Sequence, residues 1–359
     1  MKKILFILIV LSCYSGMVFS QSKTRKPVDT IGFASNPSQM DAFMKIAEQQ
    51  SSYNANRPDK SALEDNSGLK VTVSPHDDYT YVGYLYPELL SRINSGTVIL
   101  IGVCHKAKLF NLENKIIFDS YANWKMPYGN ITVSSLREEI ISKLPEDSYI
   151  IHDSIQSLEH STEAIIPFLQ YYNRDVQIIS ILVPYMPLNR MYEIAEPLAY
   201  AVYSAVEKNN MKWGKDFSIV ISTDAVHYGD EDWGGKNYAP YGSDTSGYQK
   251  AVGHEYEIIN TCLTGNLKTG KIVKFAEYTV SDRDYKDYKW TWCGRYSVPF
   301  GLLTSYYLQE MYNIKLTGTL VGYATSLDHP HIPVTNFGMG ITAPANLHHW
   351  VGYPAVGYK

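Results

Sequence analysis

Residues 97–106 read TVILIGVCHK. From Val98 to Val103 no polar side chain interrupts the run, so neither the two-residue alternation of a half-wet strand nor a helical stripe fits. A short aliphatic run of this kind is a strand buried on both faces, which is the habit of parallel strands covered by helices. The run then releases a cysteine, a histidine and a lysine, three groups with chemistry, just where the strand stops.

Outward from this segment the pattern recurs. LKVTVS (69–74), VQIISILV (176–183), FSIVIST (217–223) and KLTGTLVGYA (315–324) are further short runs rich in Val and Ile. Helical patterns lie between them, including SSLREEIISKL (134–144), LNRMYEIAEPLAYAVYSAVEK (188–208) and VPFGLLTSYYLQEMY (298–312). Strands alternating with helices predict a single α/β domain, its central sheet mostly parallel or mixed and covered on both faces. We place that domain at residues 39–345, after a flexible lead at 21–38 and before an irregular tail at 346–359.

The chain has 359 residues, 45% of them hydrophobic, enough for a large core. Its 32 Lys and Arg against 36 Asp and Glu give a net charge of -4, with no basic field for nucleic acid or anionic lipid. A small-molecule partner is the better expectation. Residues 1–20, MKKILFILIVLSCYSGMVFS, have two lysines, an apolar core and small or apolar residues before Gln21, the layout of a signal peptide. Export to the periplasm or the medium is therefore expected, without a transmembrane segment in the mature chain; a lipoprotein anchored through Cys13 is the alternative. Removing the leader leaves Cys104, Cys262 and Cys293, an odd number, so at least one thiol is unpaired within the chain or is a ligand. Oligomeric state is not legible.

Three strands release a histidine at the same end: His76 after KVTVS, His105 after VILIGV, and His227, with Asp224, after SIVIST. In open α/β sheets the carboxyl ends of the strands form the ligand crevice, so these residues converge although far apart in sequence. Imidazoles bind divalent ions, and borderline metals accept a thiolate beside them. Cys293, in WTWCGRYSVPFGLL, precedes a helix whose dipole would lower its pKa; the competing reading is a small buried residue at a helix start. Glu159, His160 and Glu163 open another helix, where Glu163 reads as a cap. Asp77 and Asp78 read either as partners orienting the histidines or as a turn and helix cap.

Taken in order, PHDDY, GVCHK, EHSTE, STDAVHYG and WCGRY resemble the motifs of the Memo family, also called AmmeMemoRadiSam system protein B, over roughly residues 68–342. That family is similar in fold to class III extradiol ring-cleavage dioxygenases. Asp77-Asp78 stand where the family pattern has Ala-Gly, and Lys106 where it has a second histidine. The resemblance implies His76, His105 and Cys293 as metal ligands, with Asp224 and His227 as an acid–base pair; His160, from its own cluster, is a further catalytic candidate. It implies a divalent metal, iron or copper ahead of zinc, and a metal-dependent oxidoreductase acting on a small molecule. A metal or redox binding protein without turnover and a zinc-dependent hydrolase are the alternatives.

Overall fold

A computed structural model describes residues 23–52, 68–328 and 330–359. The expected leader at 1–20, with Cys13, lies outside the described residues. The strands are β1 (Thr24–Arg25), β2 (Val71–Ser74), β3 (Thr97–Val103), β4 (Ile116–Phe118), β5 (Asn123–Met126), β6 (Gly129–Thr132) and β7 (Tyr149–Ile151). They continue with β8 (Gln177–Val183), β9 (Phe217–Ser222), β10 (His227–Gly229), β11 (Gly265–Asn266), β12 (Thr317–Thr325) and β13 (His349–Tyr358). The main sheet runs β11-β12-β13-β2-β9-β3-β8-β4-β7, with β10 paired to β13. Its centre, β2-β9-β3-β8, is parallel, while β13 joins β2 and β12 antiparallel. The sheet is thus mixed, in a single α/β domain as expected.

Alternate side chains of the central strands enter two separate cores. Ile99, Ile101, Ile179, Ile181, Ile219 and Ile221 face the helices Leu188–Lys208 and Ser297–Met311. Val98, Leu100, Ile178 and Val220 face the other side, against Met40, Phe43, Tyr79, Tyr86 and Phe168. Burial on both faces is why these strands carry no polar alternation.

Two boundaries differ from expectation. The tail 346–359 is not irregular: β13 is a fully buried ten-residue strand inside the sheet. The lead is not a free segment once past Lys23, because β1 pairs with β5 and Arg25 is buried over the Trp124 ring, 4.0 Å from its centroid. Arg25 is ion-paired to Glu163 and donates to the carbonyls of Gln156 and Glu159. Glu163 is therefore the anchor of the lead rather than a helix cap; it also accepts from the Val28 amide at 2.9 Å.

Candidate metal centre

Because β2, β9 and β3 are parallel neighbours, their carboxyl ends open at one edge of the sheet. His76, Asp224 and His105 each follow two residues after their strand, so they reach the same crevice. The His76 and His105 rings are 5.3 Å apart, and His160 brings a third ring 5.5 Å from His76 and 5.0 Å from His105. Cys293 enters from the turn before the helix Ser297–Met311, held in place by the Asp224 amide, which donates to its Sγ at 3.1 Å. The Gly294 amide donates to Thr223 Oγ1, also at 3.1 Å. A Cβ at Gly294 would lie 2.1 Å from that oxygen, so the close approach that seats Cys293 requires glycine.

One ligand atom each from His76, His105 and Cys293 lies within 4.8 Å of the others, and His105, Glu159 and His160 form a second such group sharing His105. The hydrogen bonds fix which imidazole nitrogen is free. Ser222 donates its hydroxyl proton to the Ser161 carbonyl, so its oxygen is left to accept from His76 Nδ1 at 2.7 Å. His105 Nδ1 donates to Glu159 Oε1 at 2.8 Å, and the His105 amide donates to the other carboxylate oxygen at 2.7 Å. In the neutral imidazoles that ligation needs, Nε2 is therefore the nitrogen left for an ion. His76 Nε2 is 3.7 Å from Cys293 Sγ, a gap that accommodates an ion with bonds of about 2.0–2.3 Å to each. The donor set fits a borderline divalent metal.

The buried groups around the cluster shift one another's ionisation in opposite directions. Burial, with the neighbouring histidines, holds His76 well below the usual imidazole range. Burial opposes ionisation of Glu159, yet His105 beside it and its hydrogen bonds bring the carboxyl down to about 2. Burial works against charge on His160 as well, but Asp29, 3.2 Å away, and Glu159 raise it to about 9. Burial and the Asp77 charge push Asp224 well above the carboxylate range, while its Oδ1 accepts from the His76 amide. Cys293 corrects an expectation: it lies four residues ahead of Ser297 and is buried, so burial and then Asp224 push its thiol well up rather than down.

His227 stands on β10, with Nδ1 3.2 Å from the carbonyls of Ala225 and Thr291. Among the described residues it is not one of the three histidines in mutual ring contact; its ring meets Trp233 edge-on at 5.5 Å. Burial lowers its pKa, with Asp77 and His105 also acting on it, and it belongs to neither group of candidate ligand atoms among the described residues. Asp77 accepts from Tyr353 Oη at 2.7 Å. Asp78 makes no side-chain cap; it accepts from the Thr342 amide and hydroxyl and packs under Gly32, joining the lead to the segment just ahead of the tail. Glu159 was visible in sequence as the residue before His160, but its partner was not, and Ser222 carried no signal at all. A cavity of about 440 Å³ opens beside the centre, walled by Cys104, His105 and Cys293 on one side and by Tyr185, Tyr288 and Arg295 on the other. Cys104, Cys262 and Cys293 are all free thiols.

The fold and the site define an α/β protein with an imidazole-and-thiol cluster at the carboxyl edge of its sheet. The chain belongs to the Memo family: the model of the Memo-like protein family matches residues 33–333. It is 28% identical over 170 residues to a MEMO1 family protein of Methanothermobacter thermautotrophicus, covering 46% of this chain and 56% of that one. It is 32% identical over 163 residues to a MEMO1 family protein of Saccharolobus islandicus, covering 44% of this chain and 52% of the relative. These matches span about half the length of each relative. No helix among the described residues is long and apolar enough to cross a membrane.

Proposed function

We propose that His76, His105 and Cys293 hold one divalent metal ion, iron or copper ahead of zinc, and that the protein is an exported oxidoreductase acting on a small molecule. The observation that carries this reading is the pair of imidazoles whose Nδ1 atoms are both engaged, leaving two Nε2 atoms and the Cys293 sulfur facing one point. A bound iron or copper would supply one-electron redox chemistry and Lewis acidity. The chain supplies the rest. Glu159 and Ser222 hold the ligand rings in orientation. His227, its Nδ1 facing two carbonyls, keeps Nε2 to accept a proton from substrate. Asp224 fixes the Cys293 loop through its backbone amide, and His160, paired with Asp29, stands within ring contact of both ligand histidines as a proton donor.

The test is metal analysis of protein isolated from its own host, together with oxygen consumption on catechol-type phenols. Near-stoichiometric iron or copper with oxygen uptake supports the reading. Zinc without oxygen uptake replaces it by a hydrolase in which the same ligands activate water. Absence of any metal in native protein removes it. Export is tested separately: the mature chain should begin at Gln21, and a chain retaining Met1 would overturn it.

A further inference from the structure

The cavity beside the centre carries an unbalanced buried cation. Arg295 is only 5% exposed, and among the described residues no carboxylate lies within ion-pair distance of it. The groups acting on it are Tyr288 and Tyr296, both as side-chain hydrogen-bond partners and through rings 3.7 and 4.5 Å from its guanidinium carbon, and neither balances its charge. One Nη donates to the Lys286 carbonyl at 2.9 Å, while the Nε hydrogen has no partner. A buried arginine without a counter-ion is costly, and proteins normally pair it. The other charges on the cavity wall do not offset it. Lys286 is already paired to Glu113, and the exposed Lys108 and Lys236 outnumber the one remaining lining carboxylate, Asp287. This local excess of positive charge occurs in a chain whose net charge is -4.

We propose that this cavity binds a small organic anion, its carboxylate held by Arg295 and its body lying between the tyrosine rings, within reach of His105 and Cys293. Arginine's planar fork suits a carboxylate, which would complete its unmet hydrogen bonding. Tyr185, Tyr288 and Tyr296 offer flat walls for an aromatic or unsaturated body, and the cavity is of the size that takes such ligands. Lys108 and Lys236, exposed at the entrance, draw the anion in. The inference rests on the proposed metal site only in placing the anion beside its ligands.

The experiment titrates benzoate, and then its neutral isostere benzamide, into the full chain at about 0.15 M salt, where long-range attraction is screened. Binding is read by ligand-observed NMR, with metal content measured on the same samples. Benzoate should bind at least about tenfold tighter than benzamide, and Arg295→Gln should abolish that preference. Should Arg295→Gln not fold, Arg295→Lys, which keeps the charge but loses the fork, should still cut the preference, and Lys236→Gln at the exposed mouth should weaken benzoate by roughly threefold. Equal binding of benzoate and benzamide, or a preference unchanged in the folded Arg295 variants, overturns the proposal. So does inorganic phosphate that displaces benzoate at equal concentration, which would reduce the cavity to unselective charge attraction. A preference kept by metal-free protein leaves the anion site standing while the metal reading falls; metal bound without any preference does the reverse.

Discussion

Burial pushes the Cys293 thiol well up, so in the proposed site metal binding and loss of its proton would be one event. Cys293→Ser should therefore lower metal affinity at least tenfold, about 1.4 kcal/mol, with the fold retained. Equal affinity in a competition titration would remove Cys293 from the ligand set. Glu159 tests the layer behind the ligands. It accepts the His105 ring and the amides of His105, His160 and Ser161, so one carboxylate orients two histidines. Glu159→Gln keeps an acceptor but loses the charge that fixes the His105 tautomer, and should weaken metal binding by about tenfold to a hundredfold. A variant that binds metal like the parent would show that His105 needs no such orientation.

At the scale of elements, the parallel strands were legible because each is an aliphatic run ending in a polar group, and the histidine-bearing ends followed from their direction. β13 was not. Gly352, Pro354 and Gly357 break the sequence with residues that usually mark turns. The register explains how it is nonetheless a strand. β10 pairs with residues 349–351 and β2 with residues 356–358, so Pro354 falls in the gap between them, where no neighbour on that side needs its missing amide proton. Only β12 lies opposite, through Tyr323. At Gly357 a Cβ would come within 2.9 Å of the Leu69 side-chain end, a close fit that no local pattern encodes. Glu163 was misread for a related reason: its partner, Arg25, lies 138 residues away. A chain ending at His348 should lose cooperative unfolding. It would remove Trp350, Tyr353, Val356 and Tyr358 from the core, each worth on the order of 2 kcal/mol, from a fold stable by about 5–15 kcal/mol. An unchanged melting transition in the truncated chain would mean that β13 is dispensable.

Across the whole molecule, the edge that carries the candidate metal centre is tied to the far layers by one buried carboxyl. Glu255, on the helix Thr245–Ile258, accepts from the indole nitrogens of Trp290 and Trp292 at 2.5 and 2.7 Å. Its other oxygen lies 3.3 Å from the Val226 amide and 3.3 Å from Tyr323 Oη on β12. It thus joins the segment before His227 and the segment before Cys293 to the antiparallel side of the sheet. Burial outweighs these donors and pushes Glu255 from its ordinary value of 4.5 up to about 7. In the unfolded chain the carboxyl loses its proton near 4.5, whereas the folded chain holds it to about 7. Between those values the folded state binds the extra proton, so this group's contribution to stability is full below 4.5 and is lost as the pH rises through 7. The shift corresponds to a loss on the order of 3 kcal/mol across that window. Glu255→Gln cannot ionise, and its amide oxygen can still accept from both indoles. Urea unfolding at pH 5 and pH 8 should therefore show the parent losing stability by about that amount more than the variant. Equal losses would mean that Glu255 ionises in the folded protein as readily as in the unfolded chain, and that the four donors, rather than burial, govern it.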